Sequence, residues 1–548
     1  MRLWKRLLLA AVLVVAVCYG WLLIQFLQLY ALKTKSSEVP QTMTQAASET
    51  DEDEDPQVIT INMDRGNPES SEPGSLYLEG DQLRMPAEWL NDYFDCDVYI
   101  LQAGTVRISG EGGEAELSAD ENGRVSAEEA AKALGYSYSW DGKACEARIE
   151  APESSSPEFP AQYDLRAEGR VSPVKDQAQQ TTCWAFAALS AVESTLLPEV
   201  DIQLSADHLN EHHGFRTEGN GGDYNMALAY LVSWTGPVTE EEDPYGDGES
   251  PDDLTAAVHV QDAVILTDDM DTSRLKALIM ENGAIESAIY AMQDPEAMSD
   301  LYNSETSAYY YSGSEICNHD IDIIGWDDEF PKEYFPEEPP GDGAFLCKNS
   351  WGEEFGSGGY FYISYYDSNI GKYGVSYAGV ESADNYDHLY QYDPLGWTGA
   401  VGYGKPDALL AAAYTAKSAQ TLAAAGFYST DPNTWYDIYL VHDFSGTEDF
   451  ASAEYLRSGY LPERGYFTVD LGKEIPLKKG EKFAIAVRIR TEGAEHPVAI
   501  EFAGNELTSE AQSDDGETYM SPNGSVWTSV EEAAGGNVCL KAYTRDKE

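Results

Sequence analysis

The chain is predicted to be α+β: a central segment that is helical first and stranded later, preceded by a small α+β repeat module and followed by a β-sandwich. Three observations predict it. Residues 161–382 open with apolar residues at helical spacing and close with alternating strand patterns. From Asp384 onward short β-type runs, among them 436–441, 465–469 and 482–489, are separated by Gly, Pro and Asp turns, the spacing of a sandwich over 383–548. Residues 58–150 contain a weak internal repeat: Met85-Pro-Ala-Glu-Trp-Leu-Asn-Asp-Tyr-Phe-Asp-Cys is echoed by Val125-Ser-Ala-Glu-Glu-Ala-Ala-Lys-Ala-Leu-Gly-Tyr, and each copy predicts a short helix followed by strands.

At 548 residues the chain holds several domains. Ninety-six acidic against 34 basic residues give a formal charge of −62, which repels phosphate backbones and anionic lipid surfaces. Nucleic acid is excluded as a partner on that ground.

Arg2, Lys5 and Arg6 precede an uninterrupted apolar run from Leu7 to Ile24, with thinner apolar character to Leu32. That run is long enough to span a bilayer, and no small-residue cleavage site follows it before Lys33. Residues 1–34 are therefore read as an uncleaved single-pass anchor at the cell membrane, with the bulk of the chain outside; secretion after signal cleavage is the alternative. Cys18 follows a lipobox-like Val15-Ala16-Val17, but the valine just before it departs from the small residue that lipidation needs. Residues 35–57, with the block Asp51 to Asp55, read as an acidic disordered stalk rather than a calcium site.

The second repeat copy, with Leu134-Gly135-Tyr136, Trp140-Asp141-Gly142-Lys143 and Ala147-Arg148-Ile149, resembles the small N-terminal domain of copper amine oxidases. The resemblance implies no copper chemistry, since 58–150 contains no histidine and so no imidazole site. Its expected role is binding or spacing. Cys96 and Cys145 fall in this module and either pair or stand as separate thiols. Residues 151–160 are a Ser/Pro linker.

The chemistry is predicted in 161–382. Cys183 opens an apolar run to Leu197 at helical spacing, with Thr181 and Thr182 as candidate N-caps. A cysteine in the first turn feels the positive end of the helix dipole, which favours a thiolate, and an imidazolium beside it would make it nucleophilic. His319, 136 residues downstream at the start of an alternating strand to Trp326, supplies that imidazole. Asn349 ends a further strand and can hold the ring, and Trp351 can shield their bond from water. Nucleophile, base and orienter are then all present.

Gln177, Cys183-Trp184-Ala185-Phe186, His319, Asn349-Ser350-Trp351-Gly352 and Gly359-Tyr360 resemble, in order and spacing, the signature blocks of papain-like cysteine peptidases, and Tyr163-Asp164-Leu165-Arg166 resembles the start of the mature enzyme. The resemblance implies a two-lobed fold, a helical lobe beside a β-barrel-like lobe, acting on protein or peptide substrates with no cofactor or metal. It implies that Gln177 donates, with the Cys183 amide, to the oxyanion of the tetrahedral intermediate, a contribution of about 3–4 kcal/mol for one such donor. Gly221 and Gly222 resemble the segment that pairs with the substrate backbone, and Trp351 adjoins the substrate site.

Two departures concern one feature. Gln180 and Gly219 stand where the family has a pair of cysteines, so that disulfide is absent as a whole, and Thr181-Thr182 replaces the family's Gly-Ser before the nucleophile. The Pro- and Glu-rich insertion from Asp327 to Gly343 and the segment Asp387 to Trp397 resemble bacterial and archaeal members with a C-terminal lectin-like domain, which implies a cell-surface or carbohydrate ligand. A surface adhesin on an inactive scaffold is the competing reading, and peptidyl transfer to an amine is a variant of the same chemistry. Cys317 and Cys347 read as small buried hydrophobes, with a substrate subsite as a second role for Cys317. His208 and His212 read as surface histidines on a helix capped by Ser205, with no third ligand for zinc.

Overall fold

The computed structural model describes residues 60–63, 77–79, 82–87, 90, 94, 96–100, 105–110, 113–120, 123–141, 146–150 and 159–547 without 218–220, 269, 292–298 and 514–516. The expected anchor, Cys18, the acidic stalk and Cys145 lie outside the described residues. Among those described, no helix is long and apolar enough to cross a membrane.

Helix Cys183–Leu196 runs through the centre of the middle segment, with all but its last two residues buried. Its run Cys-Trp-Ala-Phe-Ala-Ala-Leu-Ser-Ala-Val carries small or apolar residues on every side, as a helix enclosed all round requires. Helices Ala206–His212 and Tyr224–Val232 pack on one side. Ser205 and Asp223 cap them by accepting from His208 N and from Asn225 N and Met226 N. On the other side lies a sheet in the order Tyr360–Ser364, Ala344–Lys348, His319–Asp327, Ile285–Ile289, Gly374–Ser382, Val258–Ile265. The strand from His319 was expected to alternate, but its first eight residues are all buried because the helix covers one face and other elements the other. The insertion after Asp327 packs Phe330 and Phe335 against Tyr310 and Tyr362 in a small separate cluster.

This sheet does not stop at the expected boundary near residue 382. Val258–Ile265 pairs with Gly465–Leu477, which continues through Gln420–Ser429 and Leu540–Asp546 to His388–Tyr390, so one sheet of 13 strands serves both segments. The join demands a glycine: a Cβ at Gly465 would fall 1.9 Å from Ala263 O. Arg274 Nε donates to Glu463 Oε1 at 2.6 Å, and Thr468 N to Asp262 Oδ1 at 3.0 Å, across the same seam. Gln420–Ser429 is buried along its whole length, with Leu422 and Phe427 in the C-terminal core and Tyr428 in the central one.

A second sheet, Thr518–Ser521, Asp407–Thr415, Lys482–Thr491, Thr434–Val441 and Glu454–Leu461, packs over the first through Leu410, Ile438, Phe483, Ile485 and Val487. The N-terminal repeat extends it. Asp97–Ile100 pairs with Glu454–Leu461, and Thr105–Gly110 and Gly113–Ser118 follow, making nine strands in all with Thr528–Ser529 at the far edge. Asp97 accepts from the buried Arg457 guanidinium and from Tyr436 OH, and Arg457 lies 4.0 Å over the Tyr99 ring. The second repeat copy forms helix Ala127–Ala133, capped by Ser126, then strands Ser137–Asp141 and Glu146–Glu150. Of the first copy's helix the described residues show Ala87 in a 3-10 turn and Leu90 as α-helical.

Arg457→Ala is expected to cost about 2–3 kcal/mol, toward the low end for breaking a buried pair because Asp97 is partly exposed. A lowered urea midpoint of the full chain checks it; an unchanged midpoint would show that the module and the sandwich are not held by this contact.

Candidate active site

Three chain segments meet at the N-terminal end of the central helix. The loop before it is bonded to the segment after Ala344–Lys348: Gln177 N donates to Ser350 O at 2.8 Å, Gly352 N to Lys175 O at 3.1 Å, and Asp176 pairs with Trp351 as an isolated bridge. A cleft of about 1060 Å³ opens between them and brings together Gln177, Cys183, Gly221, Gly222, His319 and Trp351 in its lining. Asn349, buried, stands behind His319.

The hydrogen bonds determine how the histidine is set. His319 Nε2 lies 2.9 Å from Asn349 Oδ1, and Ser350 N donates to that same oxygen at 2.8 Å. A backbone N–H can only donate, so the atom facing it is the carbonyl oxygen and the amide orientation is not ambiguous. His319 Nε2 must then carry its hydrogen, which leaves Nδ1 with the lone pair. Trp351 stacks on the ring at 4.5 Å and 25° and shields the bond, in the place expected for it.

Ser350 extends the network. Its Oγ donates to Gln177 Oε1 at 2.7 Å, and Gln177 Nε2 donates to Gln180 O at 2.7 Å, which leaves the second N–H of that amide for a ligand. Tyr245 OH donates to Gln177 O at 3.0 Å and lies 2.8 Å from Thr182 Oγ1. It ties the loop to the start of the helix. Thr182 occupies the N-cap of the central helix, one of the two candidate positions, but its hydroxyl faces Tyr245 and makes no capping bond.

Gly221 has open space where a Cβ would stand, and at Gly222 a Cβ would fall 2.3 Å from the Trp184 indole. Gly222 is thus required by packing against the residue next to the nucleophile candidate, and not only by the approach of a ligand.

Burial opposes charge on both reactive groups. It pushes the Cys183 thiol up to about 11, with the Asp320 carboxylate adding to it and the backbone amides of Asp320, Trp184 and Cys183 pulling back. It pushes His319 down to about 4 against the Asn349 bond. The sequence position predicts that the helix terminus favours a thiolate, but burial outweighs it here and the Cys183 thiol is raised.

Two further corrections belong here. His208 is buried and bonds Tyr230 OH at 2.8 Å; it is not a surface histidine. Cys347 is buried as expected, whereas Cys317 is partly open and lines the cleft.

Residues 159–380 match the family model "Papain family cysteine protease", and 389–544 match "Lectin like domain". The chain carries a papain-family cysteine protease domain followed by a lectin-like domain. The same pairing occurs in the solved cysteine protease and lectin-like domains of Cwp84, a surface layer associated protein of Clostridium difficile, at 26% identity over 73% of this chain and 92% of that one, TM-score 0.62. The clostridial cysteine protease Cwp84 after propeptide cleavage matches at 26% identity over 70% and 99%, TM-score 0.63. The protease domain is 29% identical over 226 residues to a viral cathepsin of Heliothis zea nuclear polyhedrosis virus, 40% of this chain and 56% of that protein. The chain spans a little over half the length of the curated relatives it matches.

Asn349→Ala is expected to lower kcat/KM on peptide substrates by about 10²-fold or more, since the ring loses the acceptor that sets its tautomer. Ser350→Ala, which removes only the side-chain link to Gln177, is expected to cost on the order of 10-fold. Steady-state kinetics on the two variants decides it, and an Asn349→Ala enzyme as active as the parent would refute this reading of the network.

Proposed function

We propose that the chain is a cell-surface cysteine endopeptidase that hydrolyses peptide bonds through an acyl-enzyme on Cys183. One observation carries the reading most: the bond of His319 Nε2 to an Asn349 oxygen of fixed orientation, which leaves Nδ1 as a base in the cleft that Cys183 lines. Cys183 Sγ attacks the scissile carbonyl carbon as its proton moves to His319 Nδ1. The oxyanion is held by the free N–H of Gln177 and the Cys183 amide, the leaving amine takes the proton from His319, and water completes the second step. An amine in place of water would give peptidyl transfer. Gly221 and Gly222 offer backbone to the extended substrate, and no cofactor is required.

The surface location rests on likeness to a protein described as surface layer associated, at 26% identity across both domains, and on the apolar run of residues 1–34 as the tether. The divisions at 58–150, 161–382 and 383–548 are proposed as units of function, with the first as a spacer or binding module and the last as the holder of a surface ligand.

A specific feature supports the ligand. A cleft of about 640 Å³ on the outer face of the nine-stranded sheet is lined by Lys405, Asp407, Tyr439, Arg488 and Trp527, with Trp527 stacked on Phe450 at 4.1 Å and Arg488 paired to Asp407 at 2.8 Å. An aromatic wall opposite paired charges suits the apolar and hydroxyl faces of a sugar. If this cleft binds and the protease domain is only a scaffold, the chain is an adhesin.

Full-length protein incubated with a peptide library separates the two. Cleavage by the parent and none by Cys183→Ala is expected, with a thiol-reactive peptide analogue attached to Cys183 by mass spectrometry. Equal turnover by both, or no label together with tight glycan binding lost in Trp527→Ala, would overturn the peptidase reading in favour of the adhesin.

A further inference from the structure

Asp320 follows His319 and lines the same cleft, yet it is more than nine-tenths buried. It belongs to a row of acids on one side of the sheet. Strand Ile285–Ile289 sets Glu286 opposite Asp322 and Ala288 opposite Asp320, so these four side chains share a face. The inner end of the row is served: Lys348, buried between Ser172 Oγ at 3.0 Å and Ser190 Oγ at 2.8 Å, acts on Asp322. At the cleft end no cation among the described residues is paired with the row. Glu286 Oε2 accepts from Tyr377 OH at 2.9 Å and its Oε1 has no partner. Among the described residues no side chain donates to, or is ion-paired with, the Asp320 carboxylate, and the charges that act on it are carboxylates. An unmatched buried carboxylate is costly, and these acids are pushed upward by burial and by one another, Asp320 to about 7. The rim repeats the sign: Asp223, Asp268 and Glu315 line the cleft against one cation, Lys372, which is bonded to Ser368 O at 2.8 Å.

We infer that the cleft is a specificity pocket for a basic side chain, in which a lysine or arginine of the substrate beside the scissile bond pairs with Asp320 and supplies the cation that the acid row lacks. The inference rests on the peptidase reading for its substrate, but the pocket itself is a binding property. Ala288, small and opposite Asp320, leaves room beside the carboxylate, and Tyr224 lines the same cleft and can cover the aliphatic stem of such a residue. Glu286 acts at one remove, keeping the field negative behind Asp320.

The test uses the full chain and peptides that differ at single positions near the scissile bond. The parent is expected to favour Lys or Arg over Leu at one of these positions by at least 10-fold in kcat/KM, and Asp320→Asn to bring that ratio within about 2-fold of unity. Because the ratio is taken within one enzyme, a general loss of activity in the variant cancels. Glu286→Gln is expected to lower the ratio by a smaller factor and serves if Asp320→Asn does not fold. Binding of the same uncleaved peptides to Cys183→Ala by titration calorimetry gives a second readout free of catalysis. Cleavage without basic preference at any position, or a preference for Leu, would overturn the pocket and leave the peptidase reading standing. No cleavage, but tighter binding of the basic peptide to Cys183→Ala, would overturn the peptidase reading and keep the pocket.

Discussion

Asn349 Oδ1 receives two hydrogen bonds, one from the backbone of Ser350 and one from His319, and the rest of the site depends on that oxygen. The first bond fixes which way the amide points; the second then has only one sense. A ring with its Nε2 hydrogen engaged and stacked under Trp351 keeps Nδ1 as its one basic nitrogen. Ser350 carries the constraint on to Gln177, so the imidazole, its orienting amide and the candidate oxyanion donor are linked through two successive residues, Asn349 and Ser350. Precision at the reacting centre comes from short bonds among neighbours and needs no long-range coupling.

The framework around that turn is a packing solution shared by domains that the sequence would separate. The central helix is enclosed because helices cover one side and a sheet the other, and the sheet keeps going into the lectin-like domain through Gly465 and Gln420–Ser429. A strand buried on both faces serves two cores at once, so the lectin-like domain forms part of the wall behind the protease domain. The N-terminal module joins the same assembly from the far side by adding strands to an edge that would otherwise stand open.

What was legible in the sequence was the constellation of residues. Gln177, Cys183, His319 and Asn349 stand in blocks whose residue types match the proposed roles, and the structure brings Gln177, Cys183 and His319 into the lining of one cleft with Asn349 bonded behind the ring. The helix from Cys183 and its all-round apolar character were also readable. Partnership across distance was not. Nothing in Gln420–Ser429 names Gly465–Leu477 as its neighbour, because a β-run advertises its faces and not its edges. Tyr245 lies 63 residues from the Thr182 it anchors. His208 looked solvent-facing because two histidines four apart on a polar helix carry no sign of the Tyr230 hydroxyl beneath them. Asp320 stood in plain view beside His319, but only the register with Glu286 and Ala288 reveals an unmatched acid.

The reactivity of the site rests on how Cys183 ionises. Burial pushes the Cys183 thiol up to about 11 and the His319 imidazole down to about 4, so reactivity at neutral pH requires the two to act as one acid–base pair, titrating jointly. The rate of Cys183 alkylation by iodoacetamide as a function of pH measures this directly. The account predicts that the full-length protein reacts across the neutral range and loses reactivity only as pH falls through the lower constant of the pair, where His319 can no longer accept a proton. In His319→Ala the alkylation should shift to a single alkaline limb. A parent protein whose Cys183 reacts only on that alkaline limb, as the His319→Ala variant does, would contradict it.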